Sequence, residues 1–230
     1  SFITANYNVN IPALYSNTYS IRSFNWGSST VTFSGVIGSI WNVTSSSNLT
    51  WNAGTSTFIF NTNAAQSTDA GGLGLTFYNF TINFPVSGKY EFQSPNTFTN
   101  FTLSYSRAVG ALGTISFSAN QTIGTLTLPT AVDATYRLNI IGSDTFGASS
   151  SPGTKRTLTI GSISNLSDID FVDIGIAGAV GTITGTRLGD GGGNSGITFD
   201  APKTVYNVGN NSNWSSNVWA TTPTGTPDLN

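Results

Sequence analysis

Phe77-Tyr78-Asn79-Phe80-Thr81-Ile82 carries the pattern that decides the fold: apolar, any residue, often Asn, apolar, Thr, apolar. The pattern returns as Phe98-Thr99-Asn100-Phe101-Thr102-Leu103 and as Ile123-Gly124-Thr125-Leu126-Thr127-Leu128. Degenerate copies are Ile40-Trp41-Asn42-Val43-Thr44, Asn48-Leu49-Thr50-Trp51 and Ile163-Ser164-Asn165-Leu166-Ser167. Phe80, Phe101 and Leu126 lie 21 and 25 residues apart; Leu49 precedes Phe80 by 31, and Leu166 follows Leu126 by 40. The last gap holds further strand material at Leu138-Asn139-Ile140 and Leu158-Thr159-Ile160. Periods of this size mark stacked repeats, in which one unit cannot bury its apolar face alone and neighbours complete a common core.

Between the repeat cores lie second strands such as Lys89-Tyr90-Glu91-Phe92 and Thr114-Ile115-Ser116-Phe117. Ser29-Thr30-Val31-Thr32-Phe33, Ser56-Thr57-Phe58-Ile59-Phe60 and Arg156-Thr157-Leu158-Thr159-Ile160 alternate in the same two-residue period, with Gly, Asn and Ser clusters between them. Period two in β-branched and aromatic residues means strand, and the clusters between mean turns. Two or three strands per repeat predict an all-β chain built as a parallel β-solenoid (β-helix) with a loop-rich C-terminal tail. The rival is an antiparallel β-sandwich, which has no need for one motif to recur. The solenoid is expected over residues 20–180 within a domain of residues 1–200, with a lead-in strand before it. Residues 201–230 are expected to form a loop or linker. Phe60, Phe80, Ile82, Phe101, Leu103, Phe117, Leu126, Leu128, Leu158, Ile160 and Leu166 are expected to point inward.

Composition removes several classes of function. Charged residues make up 8% of the 230 residues, against about 25% in an ordinary domain. The net charge is −2, and no basic cluster offers a footprint for nucleic acid. Cysteine and histidine are absent, which removes disulfides, thiolate metal sites, the commonest general base and the Ser-His-Asp arrangement. No apolar run approaches the ~20 residues of a membrane helix. Methionine is also absent, so Ser1 reads as following a processed or longer sequence.

Towards the C-terminus, Leu188-Gly189-Asp190-Gly191-Gly192-Gly193-Asn194-Ser195-Gly196-Ile197-Thr198-Phe199 leads into Ala201-Pro202-Lys203-Thr204-Val205-Tyr206. Asn213-Trp214-Ser215 and Trp219-Ala220 follow. Gly71-Gly72-Leu73-Gly74 precedes the core repeat, and Ser149-Ser150-Ser151-Pro152-Gly153-Thr154 sits between two strands. In this order the segments resemble the repetitive β-solenoid virion proteins, of the tail or fibre kind, of tailed bacteriophages. Asn207 stands where that pattern carries Trp. The resemblance covers roughly residues 25–225 and brings no catalytic motif. It implies a virion or extracellular location and a non-catalytic structural or adhesive module that presents loops; the alternatives are an extracellular surface adhesin or filament subunit, or a polysaccharide-processing tailspike segment using Asp168, Asp170 or Glu91. It implies partners among other virion subunits, copies of the chain itself or a host surface glycan, with no nucleic acid and no membrane insertion.

Candidate chemistry is sparse. Asp168, Asp170 and Asp173 form the densest acidic cluster, and Glu91 is the only Glu. Asp168 and Asp170 share a strand face at roughly 6.6–6.8 Å, a spacing that could bind Ca²⁺ or flank a glycosidic bond. Ile169 and Phe171 belong inward, so both carboxylates are expected to be exposed and inert. Asp190-Gly191-Gly192-Gly193-Asn194 lacks the spacing of a calcium loop and reads as a glycine-rich turn, with Arg187 and Asp190 as a surface pair. Eight N-x-Ser/Thr sequons begin at Asn42, Asn48, Asn79, Asn100, Asn120, Asn165, Asn210 and Asn213. The repeat explains five of them as structural Asn, stacked in hydrogen-bonded ladders at equivalent turns. Trp214 and Trp219, five apart in a polar tail, are the candidate glycan-contact residues. No catalytic residue, metal site or cofactor is assigned. An open solenoid leaves unpaired end coils, which neighbouring subunits or copies of the chain are expected to cover.

Overall fold

The computed structural model describes residues 1–16, 19–34, 41–43, 45–61, 66–69, 74–84, 88–105, 113–130, 135, 137–142, 153–201, 204–209, 219–220 and 222–224. These residues are all-β, with parallel multi-stranded sheets and no helix among them. They fall into two compact units, Ser1–Phe199 and Asp200–Asn230.

In chain order the strands are β1 (Phe2–Ile3), β2 (Val9–Ile11), β3 (Leu14–Tyr15), β4 (Arg22–Asn25), β5 (Thr30–Phe33), β6 (Trp41–Asn42), β7 (Leu49–Asn52), β8 (Thr57–Asn61) and β9 (Gln66–Asp69). Then come β10 (Thr76–Phe84), β11 (Gly88–Phe92), β12 (Thr97–Tyr105), β13 (Gly113–Phe117), β14 (Gln121–Thr127), β15 (Leu138–Gly142), β16 (Arg156–Ser164) and β17 (Ile169–Val172). The first unit ends with β18 (Ile174–Ala177), β19 (Ile183–Thr184), β20 (Gly189–Asp190) and β21 (Ile197–Thr198), and the second holds β22 (Tyr206–Asn207) and β23 (Trp219–Ala220).

One eight-stranded sheet runs β18-β16-β14-β12-β10-β8-β5-β2, a second runs β20-β17-β15-β13-β11-β9-β6-β3, and a three-stranded sheet runs β1-β4-β7. The chain visits these sheets in rotation, so a strand pairs with its counterpart one circuit later, never with its neighbour in sequence. Every pairing within the first unit is parallel, including the β10–β12 pair that an antiparallel sandwich would reverse. The long β10, β12, β14 and β16 take over from two shorter strands per circuit nearer the N-terminus.

The register stacks like on like. Val31, Phe58, Phe80, Phe101, Leu126 and Ile163 follow one another across the first sheet. Tyr90, Ile115, Ile140 and Phe171 do so across the second. A column of rings, Phe2–Phe24–Trp51–Phe77–Phe98, links successive circuits at centroid separations of 6.1, 6.0, 5.7 and 5.5 Å. Each buried ring or branched chain contributes roughly 1.5–3 kcal/mol. Of the residues expected inward, all are buried except Leu166, which is half-buried because it lies beyond the end of β16 and packs against the core from its margin.

The motif itself bends. Phe77 and Phe80 are both buried although three apart, and Tyr78 and Asn79 both turn away from the core. Strict alternation would expel Phe80; a shift of phase between residues 78 and 79 keeps both rings inside. The same shift recurs before Asn100, Thr125 and Ser162. At that corner Gly124 and Gly161 stand in stacked positions, where a Cβ on either would lie 2.5 Å from the carbonyl oxygen of the circuit beneath.

Several expectations change. The degenerate copies do not align with the main repeat. Leu49-Thr50-Trp51 lies in the three-stranded sheet and Trp41-Asn42 in the second eight-stranded sheet, while Phe80 pairs with Phe58 and Leu126 with Ile163. The parallel sheets also begin earlier and end later than residues 20–180, since β1, β2 and β3 each supply a sheet and β19–β21 continue the pairing. A clearer repeat precedes the motif. Asn25-Trp26-Gly27-Ser28-Ser29-Thr30 returns as Asn52-Ala53-Gly54-Thr55-Ser56-Thr57. In both copies the Asn side chain accepts the Gly N–H two residues on, at 3.3 and 3.0 Å, and the Gly sits at φ +55°.

Candidate functional site

The acidic cluster lies at a turn, and its geometry differs from the strand-face pair expected of it. Asp168 precedes β17 with φ 57°, outside the strand, so it does not share a pleat with Asp170. Its side chain is buried, not exposed, because two arginines close over it. Arg187 grips it with two bonds, Nε to Oδ1 at 2.6 Å and Nη2 to Oδ2 at 2.7 Å, and the Ser167 hydroxyl donates at 2.9 Å. Arg137 Nη1 stands 3.6 Å from the same carboxylate. Arg137 Nε also donates to both oxygens of Asp170, at 2.8 and 2.9 Å, and its Nη2 donates to the Arg187 carbonyl at 2.6 Å. Asp170 faces outward and half-exposed, with Ile169 and Phe171 in the core as expected.

Two arginines thus hold two carboxylates. The Arg187 bonds pull the Asp168 carboxyl below its ordinary range, opposed by burial and reinforced by Ser167 and the charge of Arg137. Arg187 remains 56% exposed, so solvent lies close and the cluster is a surface lock. A carboxyl whose folded value is depressed adds stability above its unfolded value, near ~3.9, and loses it as pH falls through the folded value. Denaturant unfolding from pH 7 to 2.5 should show the parent weakening below about pH 4. Asp168→Asn should be weaker at pH 7 by about 1.5–3 kcal/mol, the worth of hydrogen bonds to a charged group, and should lose less on acidification. Parallel pH profiles for the two proteins would refute this role.

Glu91 is elsewhere. It lies on β11, on the outward face yet buried, and its Oε1 accepts the Ser118 hydroxyl at 2.7 Å. Its register partner is Ser116. Three strand steps separate β11 from β17, which puts Glu91 at least about 14 Å from Asp170. Glycosidases need carboxylates about 5–5.5 or 6.5–9.5 Å apart, one with a raised pKa. Among the described residues, no group of three or more His, Cys, Asp or Glu is placed to hold a metal ion. A shallow depression of about 230 Å³ lies beside the ends of β12 and β14. Thr102, Ser104, Thr127, Thr130 and Asn165 line it, with no aromatic ring among its described lining.

Asp173, at φ 53°, ties the glycine-rich loop to the turn below. Its N–H donates to the Gly192 carbonyl at 2.9 Å, and a Cβ at Gly193 would meet its Oδ1 at 1.9 Å. Asn194 donates to Asp190 and to the Phe171 carbonyl, and accepts the Ile174 N–H. The loop is therefore a set of stacked turns, and Arg187 reaches Asp168 where a bond to Asp190 was expected.

The Asn ladder exists, but within strands and not at turns. Asn100 Nδ2 donates to Asn79 Oδ1 at 2.8 Å, and Asn79 Nδ2 donates to Thr57 Oγ1 at 3.1 Å. Asn48 and Asn165 do occupy turns, at φ 57° and 62°, where their amides donate to the carbonyls of Tyr19 and Leu128. Asn120 accepts the Thr157 N–H. Trp214, Asn210 and Asn213 lie outside the described residues. The backbone of Trp219 pairs antiparallel with Asn207.

Sequence reasoning missed Arg137. It meets Asp170 across 33 residues, and no local pattern signals a contact made only by stacking circuits. The chain matches no family model, no curated protein and no solved structure.

Proposed function

We propose that the chain is a parallel β-solenoid serving as a non-catalytic structural or adhesive module of a tailed-phage virion fibre, displayed outside the cell. The observation that carries the reading is the rotation of the chain through parallel sheets, with apolar residues in register from Val31 through Phe58, Phe80, Phe101 and Leu126 to Ile163. Such a frame has all its strands paired except at its ends, and is stiff and protease-resistant for that reason. Its turns then present variable loops, and its partners are other virion subunits, copies of itself or a host surface glycan. The carboxylates support a non-catalytic role: arginines hold Asp168 and Asp170, and Glu91 is buried and accepts the Ser118 hydroxyl. The sequence resemblance to phage fibre proteins supplies the virion.

Two measurements test this. Antibodies raised to the chain should label fibres on purified virions in electron microscopy. Label confined to cell-surface filaments would replace the virion with a cellular adhesin. Depolymerisation of the host polysaccharide by the parent chain, lost on replacing Asp168 and Asp170 with Asn, would overturn the non-catalytic reading in favour of a tailspike enzyme.

A further inference from the structure

The outward face of the first eight-stranded sheet carries a lattice of short polar side chains. Thr30, Thr57, Asn79, Asn100, Thr125 and Ser162 are register partners in one file across β5, β8, β10, β12, β14 and β16. Two residues further along the same strands, Thr32, Ile59, Thr81, Thr102, Thr127 and Ser164 form a second file. Ile59 alone lacks a hydroxyl or an amide, no position in either file is charged or aromatic, and none is buried. Members of a file follow one another at about 4.8 Å, and the two files lie about 6.6 Å apart. Hydrogen bonds hold the first file in place: Asn79 donates to Thr57, Asn100 to Asn79, and the Ser162 hydroxyl to Thr125 Oγ1 at 3.2 Å. The fold does not demand this regularity. The corresponding face of the second sheet sets Lys89, Thr114, Asn139 and Asp170 in one file and Glu91, Ser116, Ile141 and Val172 in the next.

We propose that the face of the first sheet binds ice, an activity beyond the structural role above. Only a ligand that is itself periodic in two directions can use every position of a two-dimensional array. The prism faces of ice repeat on lengths close to these two. Each Thr offers a hydroxyl that both donates and accepts, beside a methyl that orders water around it. Such contacts are weak singly and bind when many act together, so the face grips a crystal surface and not free water. The ladder bonds fix side chains before the ligand arrives, which lowers the ordering cost of binding. Other ligands leave the array without a purpose: nucleic acid needs cations, a sugar platform needs rings, and a protein interface needs large aromatic or Arg anchors.

An ice single crystal grown in a dilute solution of the fluorescently labelled full chain tests this. The parent chain should enter the ice on its prism planes. Thr81→Lys combined with Thr127→Lys should reduce uptake to that of an inert protein, with unchanged far-UV circular dichroism. Thr102→Tyr, which adds a ring to the face without charge, should show the same loss and serves if the double variant does not fold. Thr50→Lys, exposed on the three-stranded sheet, should leave uptake intact. Exclusion of the parent chain from ice, uptake without preference for the prism planes, or undiminished uptake by a folded array variant overturns the proposal. A parent chain that stays out of ice and forms dimers lost in the array variants assigns the face to a second copy, which overturns it equally.

Discussion

Phe80→Ala should lower the unfolding free energy by about 3–5 kcal/mol, the usual cost of removing a buried ring and leaving its cavity. Phe80 is nearly inaccessible, and five rings surround it. Phe60, Phe77, Phe92, Phe98 and Phe101 have centroids 4.7, 5.0, 5.6, 5.2 and 5.8 Å away. Phe77 shares β10 with Phe80, and the other four belong to the strands on either side and across the core, so none can swing in without leaving its own stack. Phe80→Leu keeps much of the volume and should cost well under half as much. Urea unfolding followed by tyrosine and tryptophan fluorescence measures both. A loss below about 1 kcal/mol for Phe80→Ala would mean that the core collapses around the site, contrary to the stacking described.

Gly54→Val should be the most damaging change at a turn. Gly54 sits at φ +55°, a region that β-branched residues scarcely enter. A Cβ there would also lie 2.2 Å from the Gly27 carbonyl oxygen, which accepts the Thr55 N–H at 2.8 Å. Backbone strain of this kind costs about 1–3 kcal/mol by itself, and the clash with backbone adds to it. Relief requires the two circuits to part, which breaks the Thr55 bond and the Phe58 packing beyond it. A fall in melting temperature of several degrees is expected. Gly192→Ala makes the comparison: its φ is +95° but a Cβ there meets nothing within 4 Å, so the strain acts without the clash. Equal losses at the two sites would show that stacking adds nothing to the conformational term.

These elements share the task of holding the stacked strands together. The ring columns and stacked glycine turns supply rigidity, the Thr57–Asn79–Asn100 ladder satisfies amides on the outer face, and the arginine lock closes the late circuits.

The sequence by itself determined that the chain is all-β, that Phe80, Phe101 and Leu126 are equivalent, and that their side chains lie inward. Period-two apolar alternation and repeated spacing are local signals, so they survive in the linear chain. The spacing of three between Phe77 and Phe80 was visible too, yet its meaning as a corner was not, because a phase shift in the pleat takes shape only when strands stack. The tertiary structure alone decided the register. Phe80 chose Phe58 over the Leu49 motif because ladder hydrogen bonds and ring stacking act between circuits, across separations that vary with each loop. It also decided the fate of Asp168. Alternation placed that carboxylate on an exposed face, but its left-handed turn and the arrival of Arg187 and Arg137 from neighbouring circuits put it under cover. Charge pairing at long range leaves no trace in local pattern, since the partners meet only once the core between them has formed.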